Sequence, residues 1–256
     1  MKYNPSLREQ KELILCEDGS HTLYSKEFDE PYHSTKDGAL YESLEKYVKP
    51  SLNYKSHKES LTILDICFGL GYNTFATIYY IQKNRLHTKI HIISPEFDEG
   101  LVRSLSSFDY PKEFDSIRDI IETISRDLYY EDEQFKIEVT LGDARETIPQ
   151  IKTRVDIIYQ DAFSPAHNPL LWTREHFRAI RDISNDDAIL TTYSTAIATR
   201  MGLYESGFYI FVHRAKLMRY SSVASLVMIE GLEYIDMELK KSRNLQAKSI
   251  SDIEIL

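Results

Sequence analysis

The chain has 256 residues, 42% of them hydrophobic, enough for one sizeable α/β core with a small appendage. Its 40 acidic against 31 basic side chains give a formal net charge of −9, so a nucleic-acid partner would have to be held by a local basic surface. Cys16 and Cys67, the two cysteines, have neither disulfide-framework nor metal-ligand spacing, and no metal site is expected.

The start, MKYNPSLREQ, is polar, and no apolar run is long enough to span a bilayer. The expectation is a soluble cytoplasmic protein with no membrane partner. Residues 11–25 carry two short apolar runs around Asp18-Gly19, a hairpin pattern. The next stretch is turn-rich, then helical over 39–48, with Pro50 expected to close the helix. Residues 1–55 therefore read as an N-terminal hairpin and helix, a flank or lid on the main domain.

From residue 56 to 235 strand and helix patterns alternate. Strands are predicted at 61–67, 89–95, 135–141, 155–160, 188–193, 207–213 and 224–230. Helices are predicted at 73–83, 98–107, 113–128, 144–151, 173–183 and 196–205. This order implies a doubly wound, Rossmann-like, mostly parallel seven-stranded sheet. The connector between the last two strands is too short for a helical crossover, so they should pair antiparallel at the C-terminal edge. Residues 236–256 read as a polar tail outside the fold.

The segment 61–77, LTILDICFGLGYNTFAT, organises the rest. A buried strand runs into Asp65-x-Cys67-x-Gly69-x-Gly71 and then into a helix. Glycines there permit positive φ and close approach of a ligand to the helix N-terminus. Thr74 stands where a dinucleotide fingerprint has its third glycine, which favours methionine-derived adenosyl compounds over NAD. Ligands of open α/β sheets bind beyond the carboxyl ends of the strands. Those ends carry Glu96, Asp143 and Asp161, besides Phe68-Gly69 and Tyr193-Ser194. Glu96 suits a ribose clamp, with a solvated strand end as the plain alternative; Asp143 equally suits a helix cap.

At these residues the chain resembles class I S-adenosylmethionine-dependent methyltransferases. More closely it is similar to the methyltransferase domain of the MnmC-type enzymes that modify the wobble uridine of bacterial tRNA. The resemblance covers about residues 25–229 and is densest at 161–177, DAFSPAHNPLLWTREHF, with further matches at SKEFDEPYHSTKDGALYES and CFGLGYNT. It implies S-adenosyl-L-methionine as cofactor, held by Phe68, Gly69, Gly71, Glu96, Asp143, Ala144 and Asp161. Asn73, at the start of the helix, is a further cofactor candidate. Tyr32 with His33 would close over the cofactor as a lid, a packed tyrosine and a surface histidine being the plain alternative. Glu96 would take the ribose hydroxyls and Asp143 the adenine amine, with Asp161 and Phe163 at the methyl-transfer centre. The implied reaction methylates the amine of 5-aminomethyl-(2-thio)uridine in tRNA.

Candidate tRNA contacts are Arg174, Arg200, Arg214, Lys216 and Arg219. Two departures stand out: Cys67 replaces the first loop glycine, and RAKLMRYSSVASL replaces a more basic run. The flavin-dependent oxidoreductase domain of two-domain members is not seen, so no FAD is expected, and a partner enzyme would supply the aminomethyl substrate. An aminopropyltransferase-like enzyme acting on a small cationic amine, which the −9 charge suits, is an alternative reading. A non-catalytic adenosyl- or RNA-binding relative is a second. No residue pattern points to an oligomeric state.

Overall fold

The structure, a computed structural model, describes residues 11–216, 218–244 and 246–255. The hairpin expected within residues 11–25 is present; residues 1–10 lie outside the described residues. Strands β1 (Lys11–Leu15) and β2 (His21–Ser25) pair antiparallel across the Asp18-Gly19 turn, and β3 (Glu30–Pro31) pairs with β2. The following helix does not stop at Pro50. It runs as α1 (Ala39–Glu42), a π-turn (Ser43–Val48) and α2 (Lys49–Tyr54). In the π-turn the Lys49 N–H reaches back five residues to the Leu44 carbonyl. That wider ring tolerates the missing N–H and the bulk of Pro50, which a regular α-turn would not.

The main domain alternates as the sequence predicts. Its elements are β4 (Ser60–Ile66), α3 (Tyr72–Lys83), β5 (Lys89–Glu96), α4 (Glu99–Ser104), α5 (Arg118–Asp127), β6 (Tyr129–Glu131), β7 (Phe135–Leu141), α6 (Ala144–Thr147) and β8 (Val155–Gln160). Then come α7 (Arg174–Asp182), β9 (Ser184–Thr192), α8 (Ile197–Glu205), β10 (Tyr209–His213), β11 (Ser221–Ser225) and β12 (Glu233–Ile235). The sheet order among the described residues is β12-β10-β11-β9-β8-β4-β5-β7-β6, nine strands where seven were expected. The additions, β6 and β12, are three-residue antiparallel edges, too short to show an alternating pattern.

β4 pairs parallel with both β5 and β8, and β11 runs antiparallel to β9 and β10. β11 starts earlier than predicted because its register is carried by Ser221 and Ser222, buried polar residues that read as loop. Ser222 Oγ donates to the Ser194 carbonyl and accepts from Arg200 Nε, which satisfies it inside the sheet.

Successive strand residues face opposite sides, so Ile63 enters the core shared with Phe75, Phe114 and Ile121. Leu64 enters the core shared with Ile158, Trp172 and Phe177 on the other face. All six residues of β8 are buried, as a strand covered on both faces requires.

The C-terminal segment is not an undocked tail. Asp236 caps α9 (Met237–Arg243), Met237 and Ala247 are buried, and Ile250 bridges to Thr173. Arg145 closes the end of the segment on Asp252 at 2.6 Å. Its few apolar anchors are spaced too widely to give the segment a helical or strand period. No helix among the described residues is long and apolar enough to cross a membrane.

Strand order reverses between β4 and β8, with β5 and β7 to one side and β9 to the other. The crevice outside the carboxyl ends of these two strands is where such a sheet binds ligands.

Candidate active site

A cavity of about 1090 Å³ occupies that crevice. The turn after β4 lines it with Cys67, Phe68 and Gly69, β5 with Glu96, the turn after β7 with Asp143 and Ala144, and the turn after β8 with Asp161 and Phe163. Phe28, Glu30 and Tyr32 of the N-terminal flank cover it.

In the β4–α3 turn Cys67, Gly69 and Gly71 all have positive φ, at 67°, 54° and 70°. Cys67 carries a side chain in a conformation that costs about 1 kcal/mol outside glycine. A Cβ on Gly69 would come within 3.2 Å of the Tyr32 ring at the cavity surface. Gly71 is different. It does not line the cavity, and its Cβ would lie 2.4 Å from the Phe75 ring, so it is bare in order to seat the helix rather than a ligand.

Glu96 is 8% exposed, which excludes a solvated strand end. Its carboxylate accepts the N–H groups of Gly69, Phe97 and Asp98, each at 2.7 Å. Burial pushes it up, and these backbone donors oppose the shift. Asp143 does cap α6, accepting the Arg145 N–H at 2.9 Å through Oδ1, and it also lines the cavity. The two readings of Asp143 are therefore compatible.

Asp161 follows β8 directly. Tyr47 donates to its Oδ1 at 2.5 Å, and Asn73 Nδ2 donates to its Oδ2 at 2.8 Å. Burial, then the negative charge of Glu42, push Asp161 up to about 7, against these two hydrogen bonds and Lys46. Lys46, buried on the same helix as Tyr47, bonds Glu42 at 2.8 Å and Asp37 at 3.0 Å. Beneath lies Asp65, whose Oδ2 accepts from Thr74 Oγ1 at 2.7 Å while Oδ1 has no hydrogen-bond partner among the described residues. Burial first, and Asp161 in part, push it up to about 7 as well.

Phe163 stacks on Phe28 with centroids 4.3 Å apart and meets Tyr32 edge-on at 4.9 Å. Trp172 is a core anchor whose indole N–H holds the Phe163 carbonyl at 2.7 Å. Glu30 accepts the Ser164 N–H at 2.8 Å, which ties the flank to the same loop. His33 is buried and pushed down to about 3 by desolvation, hence neutral. Sequence reasoning missed Tyr47, Glu42 and Lys46; only the Glu42–Lys46 spacing was legible as an i,i+4 pair.

The five basic candidates do not converge. Arg219 lines the cavity. Arg214 lies over the Tyr220 ring at 4.1 Å and pairs with Glu233 at 2.7 Å, while the Lys216 carbonyl accepts from Tyr41. Arg200 bonds Ser222, and Arg174 pairs with Glu175 and Glu205 next to the docked C-terminal segment, outside the cavity. Among the described residues no cluster of His, Cys, Asp or Glu is arranged to hold a metal ion.

Residues 115–221 match a family described as S-adenosyl-L-methionine-dependent methyltransferase. An uncharacterized protein of Methanocaldococcus jannaschii is 33% identical over 208 residues, which are 80% of this chain and 56% of that protein. The tRNA 5-methylaminomethyl-2-thiouridine biosynthesis bifunctional protein MnmC of Paraburkholderia phymatum is 27% identical over 211 residues, 76% of this chain and 32% of that one. The chain thus spans about half the length of the first relative and a third of the second. The crystal structure of MnmC2 from Aquifex aeolicus superposes with a TM-score of 0.83 at 31% identity, over 96% of this chain and 80% of that one.

Proposed function

The chain belongs to the MnmC2-like S-adenosyl-L-methionine-dependent methyltransferases, and from that premise we propose that it N-methylates the aminomethyl group of 5-aminomethyl-(2-thio)uridine at the tRNA wobble position, giving 5-methylaminomethyluridine. The observation that carries this reading is Asp161. Its two oxygens are held by the neutral donors Tyr47 and Asn73, and it lines the same cavity as the glycine turn.

The cavity fits the cofactor's chemistry. Bare Gly69 opens room for an adenosyl group, and Glu96 and Asp143 stand at neighbouring strand ends to accept from its hydroxyls and amine. The acids Glu96 and Asp143 would repel a pyrophosphate and favour a sulfonium and an amine, while Asp98 is paired with Lys11. When bound, the cofactor supplies an electrophilic methyl group.

The protein's part is to present a free lone pair. An alkylammonium has none, so it must first lose a proton. Asp161 takes that proton: the N–H bond breaks and an O–H bond forms on the carboxylate. With Asp161 lifted to about 7, transfer from an amine near 10 costs about 4 kcal/mol, against about 8 for an ordinary aspartate. Phe28, Phe163 and Tyr32 offer an apolar wall for the uracil and exclude water from the reacting amine.

The test incubates the protein with methyl-labelled S-adenosylmethionine and tRNA whose wobble uridine carries the free aminomethyl group, with a polyamine panel alongside. Label recovered as 5-methylaminomethyluridine supports the proposal. Label on a polyamine alone, or on no acceptor, overturns it.

A further inference from the structure

Asp161 owes its orientation to a residue that arrives from 114 positions earlier in the chain. Tyr47 is fully buried, its ring meets Tyr159 edge-on at 6.0 Å, and its carbonyl accepts from Ser51 at 2.7 Å. Its hydroxyl oxygen already accepts the Tyr193 N–H at 3.3 Å, so its one proton is committed to Asp161. The π-turn sets this aim. A one-residue expansion of a helical turn rotates the side chains after it by about 100°, and π-turns recur where a helix must deliver a functional group. The same helix carries Glu42 and Lys46 into the cavity wall.

We propose that Tyr47 is a positioning residue for the reaction: its buried hydroxyl, bonded to Asp161 Oδ1 at 2.5 Å, aims that carboxylate at the amine. The proposal rests on the reading that Asp161 receives the proton of the amine.

The groups that face Asp161 come from four directions. Glu42, Lys46 and Tyr47 approach from the first helix, Asn73 from α3, Asp65 and Cys67 from β4 and its turn, and Tyr193 from the end of β9. Of the ionised ones, Lys46 favours the charged carboxylate and Glu42 opposes it. Asp161 also makes Asp65 harder to ionise.

Two variants read the two opposed contributions. Tyr47→Phe removes one hydrogen bond to the charged form, so Asp161 should hold its proton to higher pH. Glu42→Gln removes a negative neighbour and should let Asp161 ionise at lower pH, with Lys46 still bonded to Asp37. The direct readout is the ¹³C-carboxyl titration of aspartate-labelled protein without cofactor. The second is the pH profile of kcat/KM for methyl transfer.

For Tyr47→Phe the loss at pH 6.5 should exceed the loss at pH 8.5 by roughly three- to tenfold, since each pH unit by which the limb moves is tenfold. Glu42→Gln should move the acid limb the other way. Misfolding would not move two variants in opposite directions. Both variants moving the Asp161 titration the same way, or Tyr47→Phe leaving it in place, overturns the proposal. If Tyr47→Phe does not fold, 3-fluorotyrosine placed at position 47, which keeps the ring and donates more strongly, decides: ionisation of Asp161 at lower pH supports the proposal and an unmoved carboxyl overturns it. If the titrations separate as expected but wild-type protein methylates no tRNA, the role of Tyr47 stands and the assigned substrate falls by itself.

Discussion

Asp161 and Asp65 are neighbouring carboxyl groups with different work. Asp161 lines the cavity and meets the substrate in the proposed reaction; Asp65 lies beneath it and bonds Thr74. Asp161→Asn keeps the side-chain shape and the Asn73 and Tyr47 neighbours but cannot take a proton. It should bind S-adenosylmethionine within about twofold of wild type and lose roughly 10²–10⁴ in transfer rate, the range of a general base. Isothermal titration with single-turnover kinetics checks this, and a fully active variant would remove Asp161 from the chemistry.

Asp65 bears on stability instead. Its folded value of about 7 lies above the ordinary aspartate value, so the folded state binds the proton more tightly than the unfolded state. Its contribution to stability is therefore complete below about pH 4 and is lost as pH rises through about 7. The span is at most about 4 kcal/mol and is shared with Asp161. Asp65→Asn keeps an acceptor for Thr74 and should flatten the fall in urea midpoint between pH 5 and pH 8 in cofactor-free protein. A slope parallel to that of wild type would show that Asp65 ionises freely in the fold.

At the scale of the element, the two glycines of the β4–α3 turn separate binding from folding. Both have positive φ, so alanine is strained at either position. At Gly71 the new methyl also meets the Phe75 ring at 2.4 Å and Phe68 at 3.0 Å, inside the packed core. Gly71→Ala should destabilise by about 2–4 kcal/mol, as overpacking plus strain predicts. Gly69→Ala meets only the edge of Tyr32 at 3.2 Å, at the cavity surface. It should cost about 1 kcal/mol of stability while weakening cofactor binding at least tenfold. Thermal melts and cofactor titration on both variants decide it; equal losses of stability would mean the turn has a single role.

The same elements show what the residue pattern could and could not convey. The strands ending at Ile66, Glu96, Leu141 and Gln160 were legible because apolar β-branched runs ended at glycines or acids, and their tips are the cavity lining. Tyr47 was not legible, because a π-turn leaves no trace in a 3.6-residue period and its partner lies 114 residues away. The docking of the C-terminal segment was hidden for a related reason. It depends on the scattered anchors Met237, Ala247 and Ile250 and the Arg145–Asp252 pair, none of which makes a run.

For the whole molecule, a chain of net charge −9 must offer tRNA a local positive surface if it binds it at all. The segment joining β10 to β11 is the candidate. Arg219 lines the cavity, Arg214 is stacked over Tyr220, and Tyr220 is 53% exposed. Lys216 adjoins them, fixed to the flank through the Tyr41 hydroxyl. Arg174, next to the docked C-terminal segment, is outside the cavity that would receive the wobble base. Charge reversal of Arg214, Lys216 and Arg219 together should therefore weaken tRNA binding at 50 mM salt by at least tenfold. It should also reduce the slope of log K against log salt by about 0.7 for each phosphate of the single-stranded anticodon that is no longer neutralised. Arg126→Glu, on α5 where the arginine is paired with Asp127, serves as the control and should leave both quantities unchanged. Cofactor affinity should hold in every variant, because Gly69, Glu96 and Asp143 are untouched. An unaltered salt slope in the triple variant would place the RNA on another face, and a parallel loss in the Arg126→Glu control would mean that net charge rather than a surface sets the affinity.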